Sequence, residues 1–168
     1  MQSSERPYLF IQQLSDITYE LDPGMFPAQY VHYSVANHAK NPAVIDFVRT
    51  SHVISSVGPS DPTDEYDTLP LLIAPILAPS ERRDHVRHYM TEGVDWKDYY
   101  DPASPEDDPE YPDGFIPKLA DGEPLYVWIM VGYHGTSTID HVTSACWVYD
   151  RLSMKFLGYG GRKFNYLV

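Results

Sequence analysis

Two predicted strands each carry a histidine that is followed two positions later by a hydroxyl residue. The first pair is His32 and Ser34 in VHYSV, and the second is His141 and Thr143 in DHVTS. Because the side chains of a β-strand alternate between its faces, each pair lies on one face of its strand. Two such pairs across a cleft would cleave a phosphodiester, with one imidazole taking a proton from the nucleophile and the other protonating the leaving oxygen.

This pattern resembles the two-histidine phosphoesterases, whose strands carry a paired His-x-Ser/Thr motif. The resemblance covers only the two tripeptides, which are 109 positions apart. It implies phosphodiester hydrolysis with His32, Ser34, His141 and Thr143 as the catalytic residues. The other interpretation of the same pattern is two ordinary strand histidines, and we therefore keep hydrolysis as the alternative function and lean towards a protein that is not an enzyme.

Residues 95–117 point to a different chemistry, the binding of a basic partner. Eight carboxylates and one lysine give this stretch a net charge of −7, and its five prolines predict a long irregular loop. Carboxylates interleaved with aromatic rings suit an arginine-rich surface, since the acids steer it and the rings offer cation–π contact. The predicted partner-binding residues are Trp96, Tyr99, Tyr100, Asp101, Glu106, Asp107, Asp108, Glu110, Tyr111 and Asp113. A solvated loop whose rings fold back on the core would have the same composition.

Other patterns in the chain do not predict a metal or cofactor site. His85 and His88 would share one helical face with Glu92, but three arginines in the same segment disfavour a cation. The acidic tract at 106–114 lacks the ligand order of an EF-hand. Cys146 lies in an apolar run, which predicts a buried structural thiol. We therefore expect no metal and no cofactor.

The candidate residues would be positioned by a mainly antiparallel sheet with about two helices, an α+β fold. One helix is expected at about 42–55, after Asn41-Pro42, and the other at 81–92, capped by Ser80. Strands are expected at 8–11, 17–21, 29–35, 125–134, 139–149, 154–159 and 163–167, with an edge or broken strand at 69–77. Residues 139–149 also have helical spacing, but Thr, Val, Ile and Trp favour a strand there.

The bulk composition fits one globular domain, residues 1–168, with an irregular acidic loop at about 95–117. Of its 24 acidic residues, 17 lie between Asp61 and Glu123 against five basic ones, a net charge of −12, so the remainder is neutral. Such a field repels nucleic acid and anionic membranes and attracts basic partners. No apolar stretch approaches the roughly 20 residues of a membrane span. The single cysteine and the absence of a secretion signal predict a reducing, cytoplasmic setting.

These observations favour a non-catalytic, acidic binding or inhibitor-type protein. Its central segment would engage a basic partner protein, for example one that binds nucleic acid. Direct binding of nucleic acid or membrane is not expected. A third interpretation is a component of a larger assembly that uses the aromatic C-terminal sheet as its interface. The sequence does not fix the oligomeric state.

Overall fold

The structure is a computed structural model that describes residues 6–20, 28–59, 61, 64–65, 74–90, 100–102, 115–117, 123–136, 139–150, 152–153 and 155–168. Within these residues nearly all regular structure is β. The strands are β1 (Leu9–Gln12), β2 (Thr18–Glu20), β3 (Ala28–Asn37), β4 (Ala43–Ile54), β5 (Asp64–Glu65), β6 (Ile76–Leu77), β7 (Arg82–Tyr89), β8 (Tyr100–Pro102), β9 (Phe115–Pro117), β10 (Leu125–His134), β11 (Asp140–Asp150), β12 (Lys155–Gly158) and β13 (Tyr166–Leu167). A single short helix, α1 (Gly161–Phe164), is seen in the described part of the chain.

All described strand pairs are antiparallel. In the four-stranded sheet, β3 is flanked by β7 on one edge and by β1 and β2 on the other. In the seven-stranded sheet, β4, β10 and β11 form the centre, β5 and β6 pair with β4, and β12 and β13 pair with β11. Strands β8 and β9 form a separate two-stranded ladder.

One hydrophobic core joins the two larger sheets. It contains alternate residues of β3, namely Val31, Tyr33 and Val35, and alternate residues of β10 from Val127 to Tyr133. This alternation assigns the faces of β3, because its core side chains leave the intervening ones on the opposite, outer face. His32 and Ser34 therefore face outwards from the four-stranded sheet.

The predicted α+β fold is wrong, because the structure is mostly β and both predicted helices are strands. The helix predicted at about 42–55 is strand β4 (Ala43–Ile54). Its register against β10 shifts between Gly132 and Tyr133 and leaves Asp46 as the extra residue of a β-bulge. The buried residues Ile45 and Val48 are therefore three positions apart on one face. Buried residues three positions apart are also typical of one face of a helix, so the bulge gives this strand a helix-like pattern.

The second helix was predicted at 81–92. In the part of this segment that the structure describes, the chain forms strand β7. Val86, His88 and Met90 alternate into the interior. This alternation was not recognisable in the sequence, because His88, the middle one of these three buried residues, is polar. His85 and His88 consequently point to opposite faces of the strand, and the face that they were predicted to share does not exist.

Strands β10 and β11 agree with the prediction. β10 has the expected limits, and the ambiguous segment 139–149 lies in strand β11. The strand expected at 163–167 is reduced to Tyr166–Leu167, because Gly160 has a left-handed backbone and leads into α1. Within the described residues, no helix is long and apolar enough to cross a membrane.

Candidate functional site

A pocket of about 430 Å³ lies on the outer face of the four-stranded sheet. We call it the histidine pocket, because the rings of His32 on β3 and His85 on β7 meet there edge to face, with their centroids 5.3 Å apart. Its lining consists of Gln13, Leu14, Ser15, His32, Tyr33, Ser34, Arg82, Asp84 and His85. The pocket thus combines two imidazoles, two serine hydroxyls, a guanidinium and a carboxylate.

A β-bulge in β7 brings these groups to one face. The β3–β7 register shifts between Tyr33 and Val35, so that Asp84 and His85 together lie opposite Ser34. On a regular strand Arg82 would face away from His85, because the two are an odd number of positions apart. The extra residue reverses the alternation beyond the bulge, and Arg82 joins His85 on the outer face.

The segment after β1 holds the other side of the pocket against β3. The backbone N–H of Ser15 donates to the His32 carbonyl at 2.8 Å, and the Ser15 Oγ accepts from the His32 N–H at 2.8 Å. Ser34 donates through its hydroxyl to the Gln12 carbonyl at 3.1 Å. Both polar groups of the His32 backbone therefore have hydrogen-bond partners. These bonds fix the position on the pocket wall from which the imidazole extends.

The electrostatics of the pocket favour a neutral His32. Partial burial lowers the pKa of His32, and the positive charge of Arg87 and the neighbouring His85 ring lower it further. On the opposite rim, the Arg82 Nε donates to Asp84 at 2.5 Å, and a terminal nitrogen of the same guanidinium donates to the Gln13 Oε1 at 2.5 Å. These two hydrogen bonds orient the Arg82 side chain at the pocket mouth.

Backbone strain is concentrated at this pocket. His85 has a φ of 60° and Gln13 has a φ of 53°, both in the left-handed region that β-carbon-bearing residues avoid. Each such residue costs about 1 kcal/mol relative to a relaxed backbone. Among the described residues the one other non-glycine residue of this kind is Ser80, which lies outside the pocket lining.

The second predicted histidine pair lies elsewhere. His141 and Thr143 do share one face of β11, as predicted, but that face is the buried one. The His141 ring lies 5.5 Å from the ring of Tyr133, and its Nδ1 is 3.2 Å from the Val168 carbonyl. His141 lines a separate cavity of about 70 Å³. The structure therefore brings His32 together with His85 and does not bring it together with His141.

Most of the predicted partner-binding residues lie outside the described part of the chain, namely Trp96, Tyr99, Glu106, Asp107, Asp108, Glu110, Tyr111 and Asp113. The backbone of the other two, Tyr100 and Asp101, belongs to β8. Pro102 at the end of β8 pairs with Phe115 at the start of β9. The two residues that flank positions 103–114 therefore lie side by side.

The remaining candidates have structural environments. Cys146 is fully buried between Trp128 and Phe164, and burial raises the pKa of its thiol to about 12, in agreement with the predicted structural role. His88 is buried against His52 of the other sheet, with 3.1 Å between the His52 Nδ1 and the His88 Nε2. No group of three metal-binding side chains is found in the residues that the structure describes.

The sequence reasoning missed His85 and Arg82 as neighbours of His32. Their proximity depends on the β3–β7 register and on one bulged residue, neither of which leaves a local signal in RRDHVRHY. No family model, curated protein or solved structure matches this chain. Its function is therefore inferred from geometry and charge.

Proposed function

We propose that this chain is a non-catalytic binding protein that engages a basic surface of a partner protein through its acidic, aromatic central segment. The observation that carries the proposal is the β8–β9 ladder, in which Pro102 pairs with Phe115. The twelve residues 103–114 between them contain five carboxylates and no lysine or arginine. The five negative charges thus have no counter-charge within the same twelve residues.

Charge density of this kind acts chiefly on encounter and specificity. Clustered carboxylates raise the local concentration of a basic partner and reject acidic ones. Tyr111 lies among these carboxylates, and Trp96 and Tyr99 precede β8. Aromatic rings add apolar contact area and cation–π attraction for arginine. The partner class that fits this chemistry is an arginine-rich protein surface, such as that of a nucleic-acid-binding protein in a reducing compartment.

The test uses an arginine-rich peptide as the probe and measures its affinity by calorimetry at two salt concentrations. Raising NaCl from about 50 mM to about 300 mM shortens the screening length and is expected to weaken binding strongly. A triple variant, Asp107→Asn with Asp108→Asn and Glu110→Gln, removes three charges. At roughly 0.5 kcal/mol for each charge, it is expected to weaken binding by about tenfold.

The matched control removes three exposed carboxylates elsewhere, with Asp16→Asn, Asp61→Asn and Asp140→Asn. These residues lie outside 95–117 and are exposed. The control changes the net charge by the same amount, so it separates the effect of where the charges lie from the effect of total charge. If both triple variants bind alike, or if the first binds as tightly as the wild type, the central segment is not the binding site.

The structure offers no observation that favours the alternative, phosphodiester hydrolysis by the pairs His32/Ser34 and His141/Thr143. One pair faces outwards from the four-stranded sheet and the other is buried on the seven-stranded sheet. Nor does any described contact favour the third interpretation, an assembly interface on the C-terminal sheet. The binding proposal is therefore the one carried forward.

A further inference from the structure

The histidine pocket is a concave site to which the binding proposal assigns no role. We propose that it binds the phosphoryl group of a small phosphate monoester, with Arg82 and His85 contacting the anion and His32 donating a hydrogen bond. The site lies on the outer face of the four-stranded sheet and shares no residue with the acidic segment at 95–117. The two proposals are therefore independent.

Strand β7 makes this face locally basic in an acidic chain. Arg87 lies opposite His32 in the β3–β7 ladder and packs its guanidinium over the Tyr30 ring at 4.6 Å. The bulge adds Arg82 to the same face. The carboxylate of Asp84 balances the charge of Arg82 within the pocket lining, and Arg87 adds one positive charge beside His32, outside that lining. An anion in the pocket would therefore be held by local contacts with Arg82 and the imidazoles, against the net charge of −12 of the chain.

The Arg82 guanidinium is held in a geometry that suits an oxyanion. Its hydrogen bonds to Asp84 and Gln13 fix the plane of the group at the rim. A fixed, planar guanidinium loses little conformational entropy when it binds, and it donates in a fork to phosphoryl oxygens. A positioned cation is more selective than a mobile surface lysine or arginine would be.

The imidazoles complete the set of donors. His32 lies at the pocket wall with its backbone held by Ser15, and its lowered pKa leaves the ring neutral near neutral pH. A neutral imidazole donates one N–H to an anion. A bound phosphoryl group would in turn stabilise the protonated ring, so it is expected to raise the pKa of His32. That shift is a direct signature of an anion beside this side chain.

The strained backbone at the pocket indicates a ligand-binding site rather than an incidental depression of the surface. His85 owes its position to a β-bulge and to a left-handed φ of 60°, and Gln13, which binds Arg82, has a left-handed φ of 53°. Strained residues persist where the surrounding structure holds them, and they cluster at ligand sites. The two that build this pocket occupy opposite sides of it.

A row of aromatic rings beside the pocket favours an ester over free phosphate. The Tyr30 ring centroid lies 5.0 Å from that of His32, and the Tyr89 ring centroid lies 5.5 Å from that of Tyr30. Tyr89 is 41% exposed. Tyr30 itself is only 5% exposed, so a planar ester group next to the phosphoryl group would find its aromatic contact surface at Tyr89. A nucleoside monophosphate is the simplest probe with both parts.

The experiment titrates the full chain with adenosine monophosphate and, separately, with inorganic phosphate. Calorimetry measures affinity, and NMR of the histidine rings follows the pKa of His32. We expect the monophosphate to bind more tightly than phosphate and to raise that pKa. Arg82→Gln is expected to weaken binding by about tenfold, the effect of losing one charge-assisted contact. Arg162→Gln, at an exposed arginine of α1, removes the same charge elsewhere and is expected to have no effect.

Two further variants keep the test decisive. His85→Asn removes the imidazole but introduces a residue type that tolerates the left-handed backbone. It is therefore expected to weaken binding without unfolding the protein. Asp84→Asn removes a negative charge from the pocket, while its amide oxygen can still accept the hydrogen bond from the Arg82 Nε, so the variant is expected to tighten the binding of an anion. Circular dichroism verifies the fold of each variant.

Several results would overturn the proposal. These are the absence of binding at ligand concentrations of about 10 mM, affinity that is unchanged in both Arg82→Gln and His85→Asn, or weaker binding in Asp84→Asn. Equal affinity for phosphate and the monophosphate would overturn the ester assignment and identify free phosphate as the ligand. None of these results depends on binding of the arginine-rich peptide, so failure of either proposal is distinguishable from failure of the other.

Discussion

The buried His88 predicts a loss of stability in mild acid. Its side chain is 2% exposed and contacts His52 across the two sheets, with ring centroids 5.1 Å apart. Burial, followed by the charge of His52, lowers the pKa of His88 to about 3. In the unfolded chain the same imidazole titrates at its ordinary pKa of about 6.5. The unfolded state therefore takes up a proton in a range of pH where the native state does not.

The size of the effect follows from this difference. Because the folded pKa is lowered, the stability is fully present above the unfolded pKa and is lost as the pH falls from about 6.5 towards about 3. Between about pH 7 and about pH 5 the single site accounts for a loss of about 2 kcal/mol. The value depends only on the unfolded pKa as long as the native pKa stays below about 4.

The measurement is the free energy of unfolding in urea at about pH 7 and about pH 5, for the wild type and for His88→Gln. The variant lacks the ionisable group, so its stability is expected to fall by about 2 kcal/mol less than that of the wild type over this interval. His38→Gln, which removes a histidine at an exposed position, is the control and is expected to keep the wild-type pH dependence. Equal pH dependence in wild type and His88→Gln would refute the reasoning.

Three other substitutions test the packing and the strain of the fold. A β-carbon at Gly132 would lie 2.1 Å from the Phe47 ring, so Gly132→Ala is expected to cost about 2 kcal/mol in urea unfolding, and Phe47→Leu in the same chain should recover part of it. His85→Gly relieves the left-handed backbone and is expected to stabilise the fold by about 1 kcal/mol, whereas unchanged or lower stability would argue against strain. Ser144→Ala deprives the buried Trp128 Nε1 of its acceptor at 2.6 Å and is expected to lower the stability by about 2 kcal/mol; a cost near zero would contradict this.

The strands that the sequence predicted well are those whose pattern is local. Strand β10 has the limits that its apolar run suggests, and β11 follows its Thr, Val and Trp content despite a competing helical spacing. In both, β-branched and aromatic side chains suit a pleated, buried surface. These two strands could be predicted without knowing which strands pair with them.

The two helix predictions failed because single residues interrupt the period of two. In β4 the bulged residue Asp46 puts Ile45 and Val48 three positions apart, as on a helix. In β7 the buried alternation includes His88, an imidazole that is tolerated in the interior because it hydrogen-bonds His52. Bulges and buried polar pairs depend on a partner strand, which a local pattern does not contain.

The candidate site shows the same limit. The period of two placed His32 and Ser34 on one face, as the structure has them, but it could not distinguish the outer face from the core. The identity of the second imidazole depended on the β3–β7 register. A histidine three positions from an arginine on a strand ordinarily faces away from it, and one bulged residue makes Arg82 and His85 neighbours.

The two proposed sites would bind ligands of opposite charge, and this makes each a control for the other. Neutralising Asp107, Asp108 and Glu110 lowers the negative charge of the chain, which should leave monophosphate binding unchanged or slightly tighter, because the pocket acts through contacts at short range. Arg82→Gln makes the chain more acidic, so binding of the arginine-rich peptide should be unchanged or slightly tighter. If instead both ligands respond to both variants in proportion to net charge, the whole field governs binding and neither site is specific. Separate responses would show that the chain binds a basic peptide and an anion at two distinct sites.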